Sequence, residues 1–99
     1  MKMNVYFKPV GKRPSLVDVE RTTEAIQKLI GGYFELVHLA SDAVILCDEE
    51  GKLKNLPYNC TVCGTRYYGP IILAGTIGSN LSSVNKSTIT LVEKWGLIR

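Results

Sequence analysis

The sequence predicts one α+β domain over residues 1–99: a mixed β-sheet of about five strands, one main helix packed on it in a β-grasp-like arrangement, and a short C-terminal helix. Two features predict this class. Runs with the alternation or the β-branched content of strands lie on both sides of a single amphipathic helical pattern. The length of 99 residues is typical of one domain with one modest core.

The first two strands are expected to form a hairpin. Residues 4–10, NVYFKPV, alternate apolar and polar side chains, and Pro9 marks the end of the strand or an edge of the sheet. Residues 11–14, GKRP, have the composition of a turn, and residues 15–20, SLVDVE, alternate again. A turn between two alternating runs is the pattern of a β-hairpin.

The main helix follows that hairpin. Thr22 or Thr23 is suited to cap it, because a threonine hydroxyl accepts a hydrogen bond from a free backbone N–H of the first turn. Gly31 and Gly32 end it, since glycine adopts the left-handed conformation of a helix C-terminus at little cost. Apolar residues at positions i, i+3, i+4 and i+7 form its buried stripe: Ile26, Leu29, Ile30 and Tyr33.

The remaining elements are three strands and the C-terminal helix. Residues 33–39, YFELVHL, and residues 43–48, AVILCD, have the β-branched and aromatic content of a second hairpin. Residues 69–77, GPIILAGTI, predict a buried strand in which Gly75 indicates a bulge or the close approach of another backbone. The short helix is expected to begin at Ser87 or Thr88 and to carry Ile89, Val92 and Trp95.

The composition favours a cytoplasmic protein. No apolar run approaches the ~20 residues of a membrane span, and the first residues lack the apolar core of a signal peptide. Three cysteines are an odd number, and a disulfide framework is not expected in a reducing compartment. The net charge of +3 comes from dispersed basic residues, so the sequence has neither the basic stripe of a DNA-binding domain nor the acidity of a DNA mimic. We therefore expect no membrane and no DNA as a partner.

Four short motifs follow one another from the end of the main helix. They are Gly31-Gly32-Tyr33, Glu49–Leu53, Leu56-Pro57 with Asn59, and Gly75-Thr76. In this order, over residues 8–95 or so, they resemble the family catalogued as domain of unknown function 3846. That resemblance implies a protein of a bacteriophage or a conjugative element, which would work in the host cytoplasm, and it implies no reaction. Asp48 departs from the family pattern, which has asparagine there, and so do Cys60 and Cys63.

Cys60 and Cys63 form a Cys-x-x-Cys motif, which zinc sites and redox pairs share. Zinc needs four nitrogen or sulfur ligands, and Cys47 and His38 are the residues that could complete the set. The sequence lacks the second closely spaced pair of a strong zinc signature. A redox pair opens a helix after a strand, whereas Gly64 indicates a loop. The favoured interpretation is two reduced thiols on a loop, with no metal and no cofactor.

No catalytic constellation is evident in the sequence. The single histidine has no nearby serine and aspartate arrangement of a hydrolase triad. The acidic run Asp48, Glu49 and Glu50 could hold a metal, but consecutive side chains point in different directions, so a solvated turn is favoured. We therefore expect a protein that is not an enzyme.

A binding surface is the remaining candidate site. The segment Leu56–Asn59 is either a rigid corner, in which the asparagine side chain holds backbone groups, or a recognition loop. Thr65–Gly69, TRYYG, adds arginine and tyrosine, which are enriched among interface anchors. The predicted binding residues are Lys52, Tyr58, Asn59, Arg66, Tyr67 and Tyr68.

Three functions are compatible with these observations. The first is a non-catalytic binding protein of a phage or mobile element that acts against a host function, such as a defence system, by binding a host protein. The second is a sponge that binds a small nucleotide-like signal molecule through Lys52, Arg66, Tyr67 and Tyr68. The third is a small zinc-stabilised module. The sequence indicates no oligomeric state.

Overall fold

A computed structural model describes residues 2–94, which form a small α+β domain, as predicted. The predicted position of Trp95 lies outside the described residues. In chain order the elements are β1 (Lys2–Lys8), β2 (Ser15–Glu20), α1 (Thr23–Ile30), β3 (Phe34–Ala40), β4 (Ala43–Asp48), β5 (Tyr58–Val62), β6 (Thr65–Tyr68), β7 (Ile71–Ile77), β8 (Asn80–Ser82) and α2 (Lys86–Lys94).

The main sheet has six strands, in the order β2-β1-β7-β4-β3, with β8 paired to β7. All strand pairs among residues 2–94 are antiparallel. The predicted mixed sheet is therefore wrong, since a mixed sheet needs a parallel pair, and the β-grasp-like arrangement is not confirmed. The count of about five strands is also too low, because β8 and a separate two-stranded sheet, β5-β6, were not expected.

The β5-β6 hairpin forms where the sequence indicated a loop. Its turn residues Cys63 and Gly64 have φ values of 50° and 81°. Positive φ at both central residues is the hallmark of a type I′ turn, whose twist matches that of the flanking strands. Cys60 faces the core and Cys63 is exposed at the tip, so the two thiols do not share one loop environment.

The six-stranded sheet is covered on both faces. Helix α1 covers one face, where Ile26 and Ile30 are buried against the strands. The β5-β6 hairpin and α2 cover the other face, through Val62, Tyr67 and Val92. As a result every residue of β4, and every residue of β7 except Ile77, is buried.

The helix ends follow local sequence signals. The Oγ1 atom of Thr22 accepts a hydrogen bond from Ala25 N–H, and Gly31 has the left-handed φ of 92°, as predicted. Helix α2 is capped by Asn85 instead of the predicted Ser87 or Thr88: its Oδ1 accepts from Thr88 N–H at 3.0 Å, and the Thr88 hydroxyl accepts from Asn85 N–H at 2.7 Å. Neither helix within residues 2–94 is long and apolar enough to span a membrane.

A buried polar pair joins the hairpin to the main sheet. Asn59, at the start of β5, donates from Nδ2 to the carbonyl oxygens of Lys8 at 2.9 Å and Gly69 at 2.8 Å. Its Oδ1 atom accepts from Lys8 Nζ at 2.6 Å. The Asn59 amide thus connects β1 with the start of β5 and with the residue that follows β6, and it also accepts a hydrogen bond from a buried ammonium group.

Replacing Asn59 by alanine is expected to lower the free energy of unfolding by roughly 2–4 kcal/mol, because buried carbonyls and a buried ammonium would lose their partner. Urea denaturation measures the loss. The control is Asn80→Ala, at an exposed asparagine of β8, for which a change within about 0.5 kcal/mol is expected. Equal losses in the two variants would contradict the role assigned to Asn59.

Candidate functional site

A cleft of about 190 Å³ opens between the hairpin and one end of the main sheet. Its walls are part of β3, the end of β4 with the turn that follows it, and β6. Charged, aromatic and apolar side chains all contribute to the lining. This is the place where most of the predicted binding residues meet.

Four of the six predicted residues line the cleft: Lys52, Arg66, Tyr67 and Tyr68. Tyr58 lies beside it, with its ring centroid 5.9 Å from that of Tyr68 in an edge-to-face contact. Asn59 is not in the lining; it is buried and its amide is used to hold the hairpin. For Asn59 the rigid-corner interpretation therefore fits the geometry better than the recognition-loop interpretation.

The turn after β4 is organised by Asp48, whose side chain is only 2% exposed. Its Oδ1 atom accepts from Glu50 N–H at 2.8 Å, and its Oδ2 atom pairs with Lys54 Nζ at 2.9 Å. Gly51 lets this turn dock on β6, because a Cβ atom there would lie 2.9 Å from the carbonyl oxygen of Tyr68. Of the acidic run, only Glu49 and Glu50 are solvated as predicted.

Tyr67 and Cys47 are buried residues of the lining, and we call them the cleft floor. Glu35, which is exposed on the edge strand β3, lies beside Cys47. Tyr67 is only 4% exposed, and its hydroxyl is the one buried side-chain polar atom without a hydrogen-bond partner among the described residues. Cys47 Sγ donates a weak hydrogen bond to Glu35 Oε1 at 3.9 Å. The floor therefore holds a buried hydroxyl without a partner, and an exposed carboxylate lies at its edge.

Burial raises the pKa of Tyr67 to about 12, and the neighbouring thiols and Glu35 add to the shift. Burial also raises the pKa of Cys47 to about 12, reinforced by Glu35 and Asp48. Both groups are therefore protonated at neutral pH. In both cases burial is the main cause, and the carboxylate of Glu35 adds to it by opposing a second negative charge.

The rim of the cleft is more exposed than the floor. Lys52 Nζ lies 5.6 Å from the centroid of the Tyr68 ring, within the range of a cation–π contact. Leu53, in the turn after β4, is 82% exposed. Arg66 is exposed on β6.

The four residues of the zinc alternative are not brought together. Cys60 is in the core beneath the hairpin, Cys63 is at its exposed tip, and His38 is on the edge strand β3. Within residues 2–94 no group of three or more histidine, cysteine, aspartate or glutamate residues could hold a metal ion. The zinc-stabilised module thus lacks its ligand set in this part of the chain.

Sequence reasoning missed Glu35, and it considered Cys47 only as a possible zinc ligand or a small core residue. The two are direct cross-strand partners in the β3-β4 pair. That register, together with the position of Tyr67 on another sheet, places the three residues in the lining of one cleft. Alternation along β3 indicates which face Glu35 takes, but no local signal indicates which residue of another strand it meets.

Fold and cleft together define a small α+β domain with a cleft whose lining combines carboxylates, two cations and two tyrosines. The chain belongs to the family described as Domain of unknown function (DUF3846), whose model matches residues 1–95. The family membership expected from the four motifs is thereby confirmed. No curated protein and no solved structure matches the chain.

The Tyr67→Phe variant is expected to be as stable as the wild type or up to about 1 kcal/mol more stable, because the lost hydroxyl is buried without a partner. Thermal and urea denaturation measure this. The matched control is Tyr58→Phe, which removes a hydroxyl hydrogen-bonded to Thr61 Oγ1 at 2.6 Å. A clear loss of stability in Tyr67→Phe would mean that the hydroxyl has a partner.

Stability is expected to fall in alkaline solution. Burial raises the pKa of Cys60 as well as those of Cys47 and Tyr67, so all three folded-state values lie above the unfolded ones. The stabilising contribution of Cys47 is complete below its ordinary pKa of 9.0 and is lost as the pH rises towards about 12. That of Cys60 is lost in the same direction.

The loss should reach up to about 1.4 kcal/mol per pH unit for each group. Urea denaturation under reducing conditions, from neutral to alkaline pH, measures the slope. A Cys47→Ala and Cys60→Ala double variant should show a shallower slope. Equal slopes would contradict the assignment.

Proposed function

We propose that this chain is a non-catalytic binding protein of a phage or other mobile element, and that it acts in the host cytoplasm by binding a host protein, to the detriment of a host function such as defence. The observation that carries the proposal is the rim of the cleft. There an almost fully exposed Leu53 lies on the same surface as exposed Tyr58 and Arg66. Aromatic and arginine side chains around an apolar centre are the composition of interface anchors.

The size of the cleft favours a protein partner over a nucleotide-like ligand. About 190 Å³ corresponds to roughly six water molecules at ~30 Å³ each. Pockets that enclose whole small-molecule ligands have volumes of about 300–1,000 Å³. A volume of this size suits one inserted side chain.

The charge of the cleft also favours a protein partner over a nucleotide-like ligand. Its lining holds Glu35, Glu49 and Glu50, against Lys52 and Arg66. The fourth carboxylate, Asp48, is paired with Lys54. A nucleotide-like signal carries negative charge and would meet this excess of carboxylates, so the sponge is the less supported alternative.

The chemistry of the floor supports a non-catalytic role. Cys47 is the thiol that lines the cleft, and its pKa of about 12 keeps it protonated at neutral pH. The thiolate is the nucleophilic form of cysteine. A reactive thiol needs the opposite environment, with cations or a helix N-terminus beside it.

Substitution at the rim is expected to abolish binding without unfolding the protein. The test variant is Leu53→Asp combined with Arg66→Ala, and the matched control is Ile77→Asp, at an apolar residue that is 74% exposed and outside the cleft lining. Tagged proteins would be expressed in host cells, and co-purified proteins would be identified by mass spectrometry.

Wild type and Ile77→Asp should retain the same host protein, and the rim variant should lose it. All three should unfold at similar temperatures, because exposed substitutions change stability by about 0.5 kcal/mol. Retention by the rim variant would contradict the proposal. A thermal shift with a nucleotide would favour the sponge.

A further inference from the structure

We propose that this chain pairs with a second copy of itself through the free edge of β3, with Leu36 of one copy opposite Leu36 of the other. The main sheets of the two copies would then continue into each other as one antiparallel sheet. The edge strand is a different surface from the rim of the cleft, so this inference does not rest on the proposed function.

The first observation is that β3 is an unprotected edge. The main sheet ends at β3 on one side and at β2 on the other. An unpaired edge binds further strands unless it is short, bulged, covered or charged. The β2 edge carries Asp18 and Glu20. The β3 edge keeps a regular register with β4 from Phe34 to His38, contains neither lysine nor proline, and leaves Leu36 48% exposed.

The second observation is the direction of the backbone groups of β3. Glu49 N–H donates to the carbonyl oxygen of Tyr33 at 3.2 Å, which continues the register in which Glu35 lies opposite Cys47. Hydrogen-bonded and non-hydrogen-bonded pairs alternate along an antiparallel ladder. Glu35 and Val37 therefore bond to β4, and the alternate residues direct their N–H and C=O groups to the free side: Phe34, Leu36 and His38. Outside the ladder with β4, no backbone hydrogen bond among the described residues involves these three.

A second copy of β3 complements this edge in one particular register. When two copies run antiparallel about Leu36, Phe34 of each copy lies opposite His38 of the other, and Leu36 lies opposite its own counterpart. All the free backbone groups then form hydrogen-bonded pairs, and each such pair exchanges both of its N–H···O bonds. The side chains agree with this pairing, because an apolar pair lies at the centre with an aromatic pair on each side of it.

The neighbouring registers are poorer. A shift of the second copy by two residues in one direction brings Glu35 opposite Glu35, and like charges directly opposite each other destabilise a sheet. The same shift in the other direction leaves Phe34 opposite Ala40, which lies beyond the irregularity in the register of β3. The register centred on Leu36 avoids both faults, because it places Glu35 opposite Val37.

The pairing would also set the positions of the two clefts. Its symmetry axis is perpendicular to the joined sheet, so both β5-β6 hairpins would lie on the same face of it. Glu35 and Val37, which line the cleft, are residues of β3 on that face. The dimer would therefore present two clefts side by side, and a partner with two linked sites would bind it more tightly than a partner with one.

The first test is sedimentation velocity of the full chain under reducing conditions, which exclude a disulfide through exposed Cys63. From about 1 µM to about 1 mM, the range in which weak complexes dissociate, the mass of the wild type should rise from that of one chain to that of two. Amide hydrogen exchange, measured by NMR at both ends of this range, should slow in the dimer at the free N–H groups: Phe34, Leu36 and His38. The N–H groups of β3 that already bond to β4 should not change.

Two substitutions at one position test the register. Leu36→Lys and Leu36→Glu each place like charges opposite each other at the centre, and each should weaken self-association by about tenfold. An equimolar mixture of the two should form a mixed dimer about tenfold tighter than either variant forms alone. The control is Leu16→Lys, at a leucine that is 52% exposed on the other edge strand. This control should dimerise as the wild type does.

The outcomes distinguish this inference from the proposed function. A wild type that stays monomeric over the whole range would overturn the inference, and so would a mixture of the two Leu36 variants that associates no more tightly than each alone. A monomeric wild type whose co-purified host protein is lost in Leu36→Lys would replace the second copy by a strand of that protein. Dimerisation through β3 without any rim-dependent host protein would support the inference and overturn the proposed function.

Discussion

Strands β4 and β7 are apolar on both faces, and this double burial is the constraint on which the rest of the molecule depends. One helix, α1, can cover only one face of the sheet. The β5-β6 hairpin and α2 are needed to cover the other. The hairpin contributes Cys60, Val62 and Tyr67 to that packing, and the buried contact of Asn59 with Lys8 holds it in addition. The cleft lies along the seam where this added layer meets the turn after β4.

Local signals in the sequence were enough for α1 and for the strands that lie in the main sheet up to β7. The helix begins after Thr22 and ends before Gly31 as expected, because capping interactions act within a few residues. The β5-β6 hairpin was missed because a non-glycine residue, Cys63, takes the first left-handed position of its turn, where asparagine, aspartate or glycine is the usual signal. The parallel pairing was wrong because strand order depends on contacts between distant segments, which no local pattern encodes.

The cleft lining was predicted only in part, because contacts between distant segments of the chain also decide which residues meet there. Lys52, Arg66 and Tyr68 were found from residue type alone, since anchors are recognisable by their chemistry. Glu35 was recognised as part of the cleft lining only once the strand register placed it opposite Cys47. The motifs that carry the family resemblance prove to be largely architectural: a Cβ atom at Gly75 would lie 2.5 Å from the carbonyl oxygen of Ser83, and one at Gly51 would lie 2.9 Å from that of Tyr68. Leu53 and Tyr33 differ, because both belong to a motif and yet face solvent, at 82% and 69% exposed; Tyr33, which follows the end of α1, is therefore not part of the buried stripe predicted for that helix.

The type I′ turn has a practical consequence. Cys63 is the one exposed thiol among the three cysteines, since Cys47 and Cys60 are buried. It also lies two residues before Thr65, which lines the cleft. A maleimide fluorophore would therefore attach at one defined position of the unaltered chain, close to the opening. Its emission and anisotropy would report in real time on whatever enters or covers that opening, with no engineered cysteine.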